Sequence, residues 1–466
     1  MAGDGSAATL ESTLRDLVRT LEPGARLPSV REIVERHQVS PVTVGKVVAR
    51  LSAAGVLVTR PGSGTFVAAP PARARARRPD TAWQSLVLAG RSVDLGALRE
   101  APRDPVPGTI SLSGGYLHRS LQPLSALASA MSRAARRPDA WDRAPAGGLP
   151  ALRSYFAEAT AADVGLDDVL ITTGGQNALA MAFRAIGAPG DAVLVESPTY
   201  PGALAALAAA RLRAIPIPLG PDGIDPDDLR QAFARTGSQL LYCQPTFHNP
   251  TGIVLSESRR QAVLEVAHAA RAFIVEDDYA RHLSHDGGTT RSLLGHDVHG
   301  TVVQVTSLTK PAAPSLRVGA IVARGPVAER LQASRRVDDF FVSRPMQEAA
   351  LELTSSPRWA GHLNGLKRAL RDRHRMLSDA LRARLPEWEP VAGKGGGLYL
   401  WVRLPPNADP AEIVRRASEQ GVDIESGQRF FPAEADGPFV RLSFAAAADS
   451  VALEEAVDRL APIGAG

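Results

Sequence analysis

A chain of 466 residues is too long for one ordinary core, so two or three domains are expected. Hydrophobic residues make up 44% and charged residues 22%, and no run of about 18 apolar residues occurs, so a soluble protein without a membrane span is expected. The N-terminus lacks the basic-then-apolar layout of a signal peptide, and the single cysteine, Cys243, has no partner for an internal disulfide; both point to a reducing cytosol. The net charge of +4 is unevenly spread: residues 1–80 hold 12 Lys/Arg against 7 Asp/Glu, so the remainder sums to −1. A basic surplus at one end fits an anion-binding module or a solubilising end.

The first elements are short. Residues 8–21 place Leu10, Leu14, Leu17, Val18 and Leu21 at helical spacing. Pro and Gly in "EPGARLPS" break the chain, and Ser29 then caps a second helix, "VREIVERHQ". Ser40 is a good N-cap and Pro41 suits the first helical position of a third helix, through "VTVGKVVARLSAAG". "VLVTRPGSGTFV" reads as two β-rich runs joined by Pro-Gly-Ser-Gly, a hairpin wing. Three helices and a wing make a winged helix-turn-helix, whose second turn helix lies in a DNA major groove.

"PGARLPSVREI", "VSPVTVGKVVARLSAAGVL" and "RPGSGTFV" closely resemble the GntR-type DNA-binding domain over residues 8–68. The resemblance implies double-stranded DNA as a partner. It gives Arg31, Thr43, Lys46 and Arg60, with the backbone from Gly62 to Gly64, as the contacts. Position 41 is Pro where relatives often carry Arg, and Pro has no donor for a base or phosphate. Residues 69–109 read as a linker; its Arg73, Arg75, Arg77 and Arg78 either touch phosphates or form a solvated run, the second being favoured.

From about residue 150, apolar runs alternate with helical patterns, the signature of a mostly parallel α/β sheet with helices on both faces. Ligands in such folds bind beyond strand ends. "ITTGGQNAL" puts Gly174, Gly175 and Gln176 at a helix N-terminus, a site for phosphate. "QPTFHNPTG" fixes Asn249 just past a strand, "EDDYAR" ends a buried strand with Asp277 and Tyr279, and "TSLTKPAAPSLRVG" supplies Ser307, Lys310 and Arg317. Pyridoxal 5'-phosphate needs a lysine for a Schiff base, a carboxylate for its ring nitrogen and a phosphate cup, and explains the set. Lysine is scarce here, at positions 46, 310, 367 and 394 only, while Arg serves as the general cation. An imine requires a primary amine, which Arg cannot supply.

Residues 110–460 resemble a fold-type-I aminotransferase. With the GntR head, the whole chain resembles the MocR/GabR subfamily of bacterial regulators. The resemblance implies that Lys310 bonds the cofactor covalently and that Asp277 pairs the pyridine nitrogen. It places Tyr279 and Asn249 on the phenolic oxygen, and Gly175, Gln176, Ser307 and Arg317 on the phosphate. It stacks Tyr200 on the ring and sets Arg441, with backbone near Gly115, on a substrate α-carboxylate. Glu276, Asp278 and His248 read as structural, and the ten His and one Cys show no metal-ligand spacing.

Gly202 stands where relatives that read a distal carboxylate carry Arg, so a dicarboxylate or GABA-like ligand is not expected. Relatives often place a Tyr-Gly pair before "GLPALR" to reach the partner's phosphate; here Trp141 or Arg143 is left for that role. A large domain (110–380) and a small α+β domain (381–466) are expected, the second built from "GGGLYLWVRLP", "GVDIESG", "FVRLSFA" and a closing helix. A long amphipathic helix, "WAGHLNGLKRALRDRHRMLSDALRARLP", bridges the lobes. The implied function is a homodimeric, cytoplasmic, nucleoid-associated bacterial regulator sensing pyridoxal phosphate or an amino-acid or amine effector at Lys310. A working aminotransferase is the alternative, and a scaffold that no longer uses its cofactor a third reading.

Overall fold

The computed structural model describes residues 3–68, 83, 84, 87, 108–286, 291–391 and 393–464. The chain divides into two compact units, Met1–Arg91 and Ser92–Gly466.

The first unit holds α1 (Gly3–Thr20), α2 (Val30–His37), α3 (Pro41–Ala53), β1 (Leu57–Arg60) and β2 (Gly64–Val67). Leu10 and Leu14 of α1 and Ile33 of α2 meet Val44, Val47 and Leu51 of α3 in one buried cluster with Leu57 and Val67. The α3 residues recur at i, i+3 and i+7, which is one stripe of a helix. Ser29 accepts a bond from the Glu32 amide at 3.3 Å while Glu32 accepts one from the Ser29 amide at 2.6 Å, closing a capping box. Only three residues separate α2 from α3, beginning with Gln38 at φ 53°; Ser40 then caps α3 through the Thr43 amide at 3.1 Å. The wing pairs β1 and β2 antiparallel, from Leu57 opposite Val67 to Arg60 opposite Gly64. The linker arginines Arg73, Arg75, Arg77 and Arg78 lie outside the described residues.

In the second unit, β3 (Ile110–Ser111) precedes β4 (Val169–Thr172), β5 (Ala192–Ser197), β6 (Arg213–Gly220), β7 (Gly223–Ile224), β8 (Leu240–Cys243), β9 (Phe273–Asp277), β10 (Val302–Ser307) and β11 (Gly319–Val322). The last eight form one sheet in the order β4-β11-β10-β9-β8-β5-β6-β7. The run from β10 to β6 is parallel, and β11 lies antiparallel to both its neighbours. Side chains alternate faces along a strand, and here they feed two separate cores. Val193, Val195, Tyr242, Val275, Val303 and Val305 enter one, and Leu194, Leu241, Cys243, Ile274 and Val302 the other. Both faces are buried, so the strands are near-continuous apolar runs.

The remaining strands are β12 (Glu389–Pro390), β13 (Tyr399–Arg403), β14 (Val422–Asp423), β15 (Glu425–Ser426) and β16 (Phe439–Ser443), with a second sheet in the order β12-β13-β16-β15. The helix Pro357–Arg384 lays Leu366, Leu370, Leu377 and Leu381 in the core under this sheet, beside Leu400, Val402, Val440 and Leu442. β3 pairs parallel with β14, Ile110 opposite Val422, so the chain starts this unit in the small lobe before building the large sheet.

The Ser40 hydroxyl meets both the Thr43 amide and the Thr43 hydroxyl, the latter at 2.8 Å. Ser40→Ala removes the cap of α3 and is expected to lower the stability of the first unit by about 1 kcal/mol. Chemical denaturation of the full chain, read by a probe in that unit, measures the shift in midpoint.

Candidate functional site

Parallel strands β8, β9 and β10 end side by side, and the residues at those ends open into one cleft. Gln244, Asp277, Thr306 and Ser307 line it with Gly175, Gln176, Tyr200, Asn249, Tyr279, Lys310 and Arg317, around about 570 Å³ of space. Convergence of strand ends brings residues distant in the chain together: the register sets Val305 opposite Asp277.

Asp277, the last residue of β9, is buried. Its Oδ2 accepts bonds from the Tyr242 hydroxyl at 2.9 Å and from Gln244 Nε2 at 2.8 Å. Burial pushes this carboxyl up to about 6, while the two hydrogen bonds and the charge of Lys310 oppose the rise. It is still mostly ionised at neutral pH, and a cation in the cleft would stabilise that form. Lys310 donates from Nζ to the Gly115 carbonyl at 2.6 Å and lies 4.4 Å from the Tyr116 ring centre. Burial, then the charges of Arg441 and Arg317, pull its amine down to about 8, with Asp277 acting in the other direction. Neutral amine therefore becomes abundant near physiological pH, as a nucleophilic lysine requires.

The helix Gly175–Ile186 begins at the cleft and turns its first backbone amides toward it. Gly174 has φ 100°, and a Cβ there would stand 3.0 Å from the Arg317 guanidinium, so only glycine lets the turn approach that cation. Ser307 and Thr309 line the same space, and the buried Thr309 Oγ1 has no hydrogen-bond partner among the described residues. Amides, hydroxyls and a guanidinium at one end, with a carboxylate and a primary amine beyond, fit the donor set that pyridoxal phosphate needs.

Some predicted residues are engaged differently from expectation. The Gln176 side chain donates to the Gly202 carbonyl at 2.7 Å and accepts from the Tyr200 hydroxyl at 3.1 Å, so only its backbone is free for a phosphate. A Cβ at Gly202 would lie 2.3 Å from the Tyr200 ring, so a side chain here would require that ring to move. The Tyr279 hydroxyl donates to the Phe247 carbonyl at 2.5 Å and must turn to donate to a ligand oxygen. Asn249 Oδ1 accepts from Arg441 at 2.9 Å. Arg441 is buried; it stacks 4.0 Å from the Tyr399 ring centre and pairs with Glu425.

The neighbouring acids are structural. Glu276 accepts from the amides of Leu293 and Leu294 at 2.8 and 3.1 Å, and Asp278 pairs with Arg281. Burial, then mutual repulsion, raises the Glu276 carboxyl. His248 is held by Thr251 at 2.9 Å and by Glu196 at 3.3 Å.

In the first unit Lys46, Arg60 and Gly62 are exposed. Arg60 covers the Phe66 ring at 4.9 Å. Arg31 is exposed but paired with Glu35 at 3.2 Å. Thr43 is half-buried with its hydroxyl on Ser40, and Gly64 sits in the wing at φ 116°. Sequence reasoning missed Tyr242, Gln244, Tyr399, Tyr116 and Glu425. Gln244 alone carried a usable signal, as a polar residue directly after an apolar strand run.

A large doubly covered sheet, a small lobe and a lysine–carboxylate cleft at the strand ends define a fold-type-I aminotransferase-like protein carrying a winged helix-turn-helix. Residues 112–460 match the family model "Aminotransferase class I and II", and residues 7–67 match "Bacterial regulatory proteins, gntR family". The chain belongs to the aminotransferase class I and II family and joins it to a GntR-type head, the architecture of the MocR/GabR-type regulators. The HTH-type transcriptional regulator YdfD of Bacillus subtilis is 28% identical over 91% of this chain and 88% of its own length. The probable rhizopine catabolism regulatory protein MocR of Rhizobium meliloti is 28% identical over 88% and 84%. The solved structure of LysN, an alpha-aminoadipate aminotransferase of Thermus thermophilus, superposes with a TM-score of 0.76 at 28% identity, covering 82% of this chain and 98% of that one. Among the described residues, no helix is long and apolar enough to cross a membrane.

In the cofactor-free protein, reaction of Lys310 with a small aldehyde probe is expected to rise with pH through about 8, well below the ordinary lysine value of 10.5. Asp277→Asn removes the negative charge that favours the protonated amine, so the midpoint of the pH profile moves lower. Mass-spectrometric labelling at Lys310 across pH reads both.

Proposed function

We propose that this protein is a transcription regulator that binds double-stranded DNA through its first unit and pyridoxal 5'-phosphate in the cleft. It senses the cofactor itself, or an amino-acid or amine effector that competes with Lys310. One observation carries the reading: a single chain holds an exposed basic recognition helix with its wing, and a buried amine of lowered pKa facing a buried carboxylate.

Asp277 would hold the ring nitrogen in its protonated form. Ser307, Arg317 and the Gly174, Gly175 and Gln176 backbone would hold the phosphate. Tyr200, oriented by Gln176, would cover the ring face, and Asn249 and Tyr279 would meet its oxygen. When bound, the cofactor supplies an aldehyde carbon that holds one primary amine at a time and a ring that withdraws electrons. Lys310 donates to the Gly115 carbonyl when it is not so engaged. A ligand shifts a regulator only by binding its states unequally, and release of Lys310 provides such a difference.

Lys46 and Arg60, with the wing from Gly62 to Gly64, are proposed to meet the DNA, with Arg31 and Thr43 beside them. The proposed domains are 8–68, a linker 69–109, 110–380 and 381–466. The chain is also proposed to form a homodimer. A cytoplasmic setting at the nucleoid follows from DNA binding. The second reading, a working aminotransferase, is favoured by Arg441, buried against the cleft residues Asn249 and Tyr399, and by LysN, whose structure holds N-(5'-phosphopyridoxyl)-L-leucine.

A gel-shift assay with the chain's own upstream region, with and without cofactor, is expected to give a specific complex; no shift under either condition would sink the regulator reading. Lys46→Ala should weaken binding across sequences and reduce the salt slope by about 1. Lys310→Ala should lose the visible absorbance of the cofactor-loaded protein, and colour retained in that variant would contradict the role of Lys310. Steady turnover of an amino donor with 2-oxoglutarate would move the assignment to the enzyme.

A further inference from the structure

Arg441 is buried against the cleft residues Asn249 and Tyr399, and the family resemblance gives it a ligand carboxylate, yet its guanidinium is already engaged on several sides. Nη1 donates to Asn249 Oδ1 at 2.9 Å. Nη2 donates to the Gly114 carbonyl at 3.2 Å and to Glu425 Oε2. The rings of Tyr399 and Phe430 lie 4.0 and 4.8 Å from its central carbon. The Glu425 contact is built by the backbone: β15 and β16 are antiparallel, and their register sets Glu425 directly opposite Arg441. Directly opposed side chains in such a pair are within contact distance, so every folded copy presents this carboxylate to this guanidinium. The other Glu425 oxygen accepts from Arg429 at 3.1 Å, and the three side chains are 5 to 18% exposed.

An arginine reads a carboxylate best through two parallel N–H bonds. Here one edge donor is shared between Glu425 and Gly114. An incoming carboxylate therefore meets a neutralised cation, with a like charge already seated in a largely dehydrated place. Displacing Glu425 would leave its carboxylate on Arg429 alone, and sharing Arg441 would set two anions side by side. Both routes are costly away from water. A primary amine without a carboxylate meets neither cost. It finds the aromatic wall of Tyr116, Tyr200 and Tyr399 along its carbon body, and Glu425 stays where the sheet puts it.

We propose that Glu425 is a specificity-determining residue: it acts as a built-in counter-ion for Arg441 and assigns the cleft to primary amines lacking an adjacent carboxylate over the matching α-amino acids. This rests on the reading that ligands compete with Lys310 for pyridoxal phosphate, and it narrows the effector to one chemical class.

The test uses the full chain loaded with pyridoxal phosphate and a matched pair of ligands, 3-methylbutylamine and L-leucine, which differ by the carboxylate. Binding is measured by visible absorbance and by titration calorimetry. The wild type is expected to bind the amine about tenfold or more tightly than leucine, the scale of a like-charge clash. Glu425→Gln keeps the shape and removes the charge; it should tighten leucine by about tenfold and change the amine by less than about threefold. The wild-type preference needs no variant, so it decides the matter even where Glu425→Gln folds poorly. A coloured wild type that prefers leucine, or a folded Glu425→Gln with leucine affinity unchanged, overturns this proposal alone. A colourless protein overturns the cofactor reading and this proposal with it.

Discussion

The cleft is organised around one demand: a carboxylate buried at the end of a β-strand must be hydrogen-bonded and charge-compensated. Asp277 meets it with Tyr242 of the neighbouring strand β8, with Gln244 just past that strand, and with the positive potential of Lys310. Each of these partners depends on parallel pairing of β8, β9 and β10, because only parallel strands bring three chain ends to one edge. The same burial that raises Asp277 lowers Lys310. One dehydrated space thus readies an acid and an amine in opposite directions.

Buried charge elsewhere is handled separately. Glu276 and Asp278 flank Asp277 in sequence but face the opposite side of the sheet, where Gln304, Arg281 and the first amides of the helix Leu293–His296 satisfy them. Alternation along β9 therefore splits a run of three acids into one functional group and two structural ones. The structural pair anchors the strand that aims Asp277. His248 does similar work beside Asn249, held between Glu196 and Thr251.

The small lobe contributes differently. Its sheet delivers Arg441 and Glu425 as a cross-strand pair, so the lobe brings a salt bridge to the cleft and not a bare cation. Arg441 is also bonded to Asn249, in the loop after β8, and Tyr399 of β13 stacks against it. The Arg441–Glu425 pair lies beside Tyr399, which lines the cleft together with residues at and past the ends of the large sheet's strands.

Much of this was legible in the residues. Apolar runs marked the strands of the large sheet, Ser29 and Ser40 marked the starts of α2 and α3, and Gly and Ser in "RPGSGTFV" marked the wing, because such signals are local in the chain. Lys310 and Asp277 were legible too, since few other roles need that amine and that buried acid at strand ends. Tyr242 and Glu425 were not. Tyr242 reads as one more apolar strand residue, and its role follows only from the strand beside it. Glu425 reads as a surface acid until the register sets it against Arg441. Spacing and residue type alone marked the elements, the two kinds of domain, and the lysine and the acid that the structure brings into one cleft. Tertiary structure decided which donors Gln176 and Tyr279 have left and what neutralises Arg441. Those depend on contacts between residues far apart in the chain, which no local pattern encodes.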